Sequence, residues 1–135
     1  MHPTVRVPES EKVTVNVGLV DLAQVDLLIN EGFYSNRTDF VRTALRNQLL
    51  AHADALRQIV VRKRYVLGQH RYTRKELEEV VASGQRLEVH VLGLAVIEDD
   101  VTPELASAAI ASVQVLGAFI ALPAVRQALA DRIHT

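Results

Sequence analysis

Polar and apolar positions alternate strictly over residues 12–17. Val13, Val15 and Val17 point to one side, and Lys12, Thr14 and Asn16 to the other. That pattern predicts a short amphipathic strand rich in β-branched residues. The period then lengthens. Leu22, Val25, Leu28 and Ile29 form one stripe of a helix expected from about Leu22 to Glu31, with Asp21 as its cap and Gly32 as a left-handed stop. Ser35 offers the next cap, and Phe40, Val41, Ala44, Leu45 and Leu49 mark the apolar face of a second helix. His52, Leu56, Ile59 and Val60 continue that stripe. Residues 51–67 therefore read either as an extension of the helix to about Arg64 or as a helix followed by a strand from Ile59 to Leu67, with Gly68 ending whichever forms. Thr73 and Glu76 make a capping box for a helix over about Arg74 to Ala82, closed by Ser83-Gly84.

Beyond residue 86 the pattern repeats itself. Residues 89–96 read VHVLGLAV and residues 113–120 read VQVLGAFI, so Val, Val, Leu and Gly coincide. Thr102-Pro103-Glu104 opens a helix after the first copy, and Pro123 opens one after the second. Residues 87–135 thus predict a β–α–β–α arrangement, with Gly93 and Gly117 at a bend in each strand. The strands are apolar on both faces, as buried parallel strands are. Two units are too few to bury a core alone, so this half is expected to associate with further copies.

A lone six-residue strand cannot satisfy its own backbone. No hairpin partner follows it, so the simplest partner is the same strand of a second chain across a two-fold axis. Such a ribbon turns Lys-Thr-Asn outward twice and fits the major groove of B-DNA. Lys can donate to guanine, Asn can pair bidentately with adenine, and Thr can meet either edge. The free N–H groups at the start of the second helix can hold a phosphate.

The string from Lys12 to Leu50 resembles the ribbon-helix-helix proteins of the Arc/MetJ/CopG superfamily. The alternating strand, the Gly32-Phe33 turn and Ser35-Asn36-Arg37-Thr38 ahead of Asp39-Phe40-Val41-Arg42-Thr43-Ala44-Leu45 carry that resemblance. It implies an obligate homodimer in which Lys12, Thr14 and Asn16 read bases and Ser35, Asn36 and Arg37 anchor the DNA backbone. Taken together, an α+β chain is expected in three parts: a ribbon-helix-helix domain over 1–50, a basic connector over 51–86, and a β–α repeat region over 87–135 for oligomerisation or effector response.

Charge sharpens that division. Fifteen Lys and Arg face sixteen Asp and Glu, a net charge of −1. Residues 51–86 alone carry eight basic against four acidic residues, and residues 87–135 carry two against six. Arg62, Lys63, Arg64 and Arg71 are expected to reach phosphates flanking the site and to supply charge the first fifty residues lack. The rival assignment for this basic stretch is pairing between subunits with the acidic C-terminal zone.

Composition excludes several classes. With 49% hydrophobic residues the chain is not largely disordered, and with no cysteine it is neither a disulfide scaffold nor a thiol enzyme. The leading MHPTVRVPESEKV lacks an apolar signal core, and no apolar run is long enough for a membrane span, so a cytoplasmic, nucleoid-associated protein is expected. No Gly-rich phosphate loop, G-x-S-x-G or H-E-x-x-H occurs, and no enzyme is expected. His2, His52, His70, His90 and His134 are scattered without ligand spacing, so neither metal nor cofactor is expected. The expected function is that of a homodimeric transcriptional regulator on double-stranded DNA. An antitoxin and a polymerising nucleoid protein are the alternatives.

Overall fold

The computed structural model describes residues 10–134; His2 and most of the leading segment lie outside them. The chain divides within its third helix into two units, Ser10–Gln58 and the part from Ile59 onward.

In the first unit, helix α1 spans Leu19–Asn30 and α2 spans Arg37–Ala51. Helix α1 begins three residues earlier than its pattern predicts. Gly18 is the cap, and its carbonyl accepts the Leu22 N–H at 2.9 Å. Asp21 therefore lies within the first turn, where a carboxylate favours the positive helix end. The predicted stop holds: Gly32 has φ +85°, the Gly32 N–H donates to Ile29 and the Phe33 N–H to Leu28. This paired closure needs a left-handed residue, which glycine adopts without a Cβ clash. Residues 10–18 form neither helix nor strand within one chain. Ladder hydrogen bonds require a second strand, and among the described residues the only sheet is built from strands between Val66 and His134, without residues 10–18.

Over residues 51–67 the helical alternative holds to Arg62, though with a break at His52, and the strand expected from Ile59 begins only at Val66. A turn at His52 separates α2 from α3, Ala53–Arg62, and strand β1 begins at Val66 and runs to Tyr72. Gly68 lies inside that strand and does not end it. Helix α3 closes with Arg64 at φ +55°, its N–H donating to Val61 while the Tyr65 N–H donates to Val60.

The second unit departs from the expected β–α–β–α by starting earlier. Strand β1 and helix α4 (Arg74–Ala82) precede β2 (Leu87–Ile97), α5 (Pro103–Ala109), β3 (Ile110–Ile120) and α6 (Pro123–Ala128). A 3-10 turn, Ala130–Arg132, leads to a two-residue strand β4, Ile133–His134. The four strands are parallel, in the order β1-β2-β3-β4. The repeat is thus threefold in its strand–helix units. Val66-Leu67-Gly68 is the copy that the two-copy reading passed over.

Local caps place the helices. The Thr73 hydroxyl accepts from the Glu76 N–H, and the Thr102 hydroxyl accepts from the Leu105 N–H, each at 3.1 Å. Leu77, Ala106, Ala109 and Val125 from the helices then pack with Val89, Val91, Ala95, Ile97, Ile110 and Val113 of the sheet. Burying one such Leu or Val contributes about 1.5–3 kcal/mol. At the junction of α5 and β3, Arg86 and Arg132 both donate to the carbonyls of Ser107 and Ile110, closing the end of that helix.

Candidate nucleic-acid interface

Lys12, Thr14 and Asn16 are exposed, as are Val13, Val15 and Val17, at 77%, 71% and 51%. Among the described residues the valine face is left uncovered. The same holds beyond it. Val41, Leu45 and Leu49, expected on the buried face of α2, are 58%, 59% and 52% exposed. No described residue before Tyr65 is buried. Within this unit, Tyr34 meets Phe40 edge-to-face with ring centroids 5.0 Å apart.

The start of α2 is built differently from its expected form. Asn36, not Ser35, is the cap: its side-chain oxygen accepts from the Asp39 N–H at 2.7 Å. The Ser35 N–H donates in turn to the Asp39 carboxylate at 2.9 Å. Ser35 is thus one position outside the helix, held by a carboxylate of the first turn. Arg37 donates through Nε and a terminal nitrogen to both oxygens of Asp26, each at 2.9 Å. This two-pronged pair lowers the Asp26 carboxyl below its ordinary range and raises the Arg37 guanidinium above its own, chiefly through the hydrogen bonds themselves. The pair joins α1 to α2 across eleven residues of sequence, a separation no local pattern reports.

The basic residues of the middle stretch do not act alike. Arg62, Lys63 and Arg64 follow one another at the end of α3, all exposed, with no ion pair among the described residues. Arg71 lies on β1 and is held by Glu98 at 3.1 Å. Glu98 belongs to the acidic C-terminal zone, but the pair forms within one chain and not between two subunits. Arg74 is likewise engaged by Glu78, at 2.8 Å. The histidines are dispersed into other contacts. His70 meets Glu76 at 3.3 Å and stacks near Tyr72, and His90 Nδ1 lies 3.3 Å from the Lys63 carbonyl. No described helix is long and apolar enough to cross a membrane.

Comparison with known proteins adds one finding. The sequence pattern of the Ribbon-Helix-Helix transcriptional regulator family matches residues 8–126. The match continues past α2 and through β1, β2 and β3 into α6, so the sheet unit is part of the family's pattern as much as the helices are. No curated protein and no solved structure matches the chain. With most of its length covered, the chain belongs to the ribbon-helix-helix transcriptional regulator family.

Proposed function

We propose that the protein is a homodimeric, sequence-specific regulator that reads double-stranded DNA in the nucleoid. Residues 12–17 of two chains pair antiparallel about a two-fold axis. The valines face inward against α1 and α2, and Lys12, Thr14 and Asn16 enter the major groove. The observation that carries this reading is the absence of any buried side chain among the described residues before Tyr65. A unit of that kind has no core of its own, and a second copy offers the same valine strip and the same α2 stripe in return. Ser35, Asn36 and Arg37 approach a phosphate at the start of α2. Arg37 does so from its pair with Asp26, whose hold on the guanidinium it must share with the DNA. Arg62, Lys63 and Arg64 supply flanking charge, since no carboxylate engages them among the described residues. Arg71, engaged by Glu98, contributes less.

The test is selection from random genomic duplexes across a salt series. A short motif with two-fold symmetry is expected among the retained fragments, and Asn16→Ala is expected to relax it at one position in each half-site. Retention without a motif, lost steeply with salt, would replace operator recognition by non-specific coating.

A further inference from the structure

The three strand–helix units make one contact twice inside the chain. Val66, Leu67 and Gly68 stand beside Val91, Leu92 and Gly93, and these beside Val115, Leu116 and Gly117, with no slip in register between the triplets. The glycines share an unusual backbone, with φ of +114°, +135° and +117°, a region that residues with a Cβ rarely adopt. They also stack. The Gly68 carbonyl oxygen occupies the place a Cβ on Gly93 would need, and the Gly93 carbonyl oxygen occupies that place at Gly117. Each strand therefore offers a carbonyl to the next strand and a vacant Cβ position to the one before.

The series has two ends. At Gly68 nothing lies within 4 Å of the Cβ position, so the receiving place on β1 is open. At the other edge β4 covers β3 only at Val113 and Gln114, and Val115–Ile120 have no further strand beside them among the described residues. Protein edges of this kind are ordinarily blunted by charge, proline or short length. Over the triplets the facing residues are apolar and open: Leu67 is 71% exposed and Leu116 47%, and the polar run Gln69-His70-Arg71 begins only after Gly68.

We propose that the β3 edge of one copy pairs in parallel with the β1 edge of a second copy. The Gly117 carbonyl then seats at Gly68, and the register continues as Val115 beside Val66 and Leu116 beside Leu67. The occupant is a second copy because each edge is the other's missing neighbour. The β1–β2 and β2–β3 contacts are already this interface, formed within one chain. An antiparallel meeting of two β1 edges would leave Gly68 without its carbonyl. One side chain has to yield: Arg126 donates to the Phe119 carbonyl at 2.6 Å and lies over the Phe119 ring, so it withdraws as the strand docks. The contact is heterologous, joining copies head to tail into a ring or a filament. It does not depend on the DNA-binding reading.

The chain has no cysteine, so introduced thiols report cleanly. Leu67→Cys and Leu116→Cys, both at exposed positions, are prepared as full chains. Each is refolded alone and together with the other, without DNA, and oxidised. Adjacent strands bring Cα atoms within disulfide reach. The expected result is a two-chain disulfide product in the mixture, at least about tenfold above either variant alone. A product from Leu67→Cys alone would overturn the proposal in favour of two β1 edges meeting. A mixture that stays uncrosslinked, while both thiols react with a maleimide dye, would overturn it outright. Neither result bears on operator binding, which the genomic selection reads separately.

Discussion

The two units use the same residue types to opposite ends. In the sheet unit, Leu77, Ile97, Ile110 and Leu129 are fully buried, each covered by groups from the same chain. In the unit Ser10–Gln58, Val13, Leu19, Phe33 and Leu50 are all at least 70% exposed, and neither α1 nor α2 buries a residue. Hydropathy alone does not separate them. What separates them is whether parallel strands and their helices bring apolar faces together within one chain. The sheet unit carries its core inside the chain and its stability is a property of one molecule. Under the proposed pairing the first unit takes its core from a second copy, so its stability should depend on concentration.

The largest effect should come from denying the first unit its partner. Val15→Asp puts a charge on the strip proposed to face the dimer core, where an unpaired buried carboxylate is strongly unfavourable. The full chain is expected to lose the helical signal of α1 and α2 and at least about a hundredfold in DNA affinity, the scale of about 3 kcal/mol. The sheet unit should keep its hydrogen-exchange protection. Loss of protection throughout would show that the two units share one core.

The converse break is made at Leu77, which is fully buried on α4. Leu77→Ala is expected to cost about 2–5 kcal/mol in the sheet unit through lost contacts and a residual cavity. Chemical denaturation should show the earlier midpoint in that unit only, with selection of the DNA motif retained. A single shifted transition covering both units would contradict their independence.

Legibility in the sequence followed the same divide between local and distant causes. Helix starts were readable at Thr73, Thr102 and Pro123 because a cap or an opening proline lies within a few residues of its helix. The Gly32 stop was readable for the same reason. The third V-L-G triplet was not, although it stands 25 residues before Gly93, close to the 24 that separate Gly93 from Gly117. Its strand continues with Gln69, His70 and Arg71, where β2 and β3 continue with apolar residues. That polar continuation hid the repeat. The ion pairs were least legible. Arg71 looked like one of a run of basic residues, but strand pairing brings Glu98 to it from 27 positions away. The valine strip was legible as an apolar face, and its exposure agrees with that pattern, while the proposed pairing is a property of two chains and lies outside what one chain displays.

A smaller test of the sheet unit lies at high pH. Burial, reinforced by the charge of Glu76, pushes the Tyr72 phenol up from 10.0 to about 12. The folded state then holds a proton that the unfolded state releases, so stability is intact below about pH 10 and falls between pH 10 and 12. The loss by the end of that window is at most about 3 kcal/mol. Urea midpoints of the sheet unit should decline over that range and should decline less in Tyr72→Phe. An equal decline in both would place the alkaline weakness elsewhere.

The smallest expected effect sits at Arg64, near the division between the units. Its φ of +55° is the left-handed conformation, and its N–H and that of Tyr65 close α3 by donating to Val61 and Val60. Glycine is the residue that suits such a closure, because a Cβ there costs about 1–2 kcal/mol. Arg64→Gly removes that cost but gives the unfolded chain more freedom to lose, so a net gain of about 0.5–1 kcal/mol is expected. The same substitution removes one of the three consecutive cations, Arg62, Lys63 and Arg64, proposed to flank the DNA. The variant should therefore be more stable and bind DNA less tightly, with the loss growing at low salt and the motif unchanged. A residue kept at the expense of the fold is then explained by its charge. If stability rises while affinity holds at every salt concentration, the strained arginine serves neither fold nor DNA, and the flanking contact falls to Arg62 and Lys63.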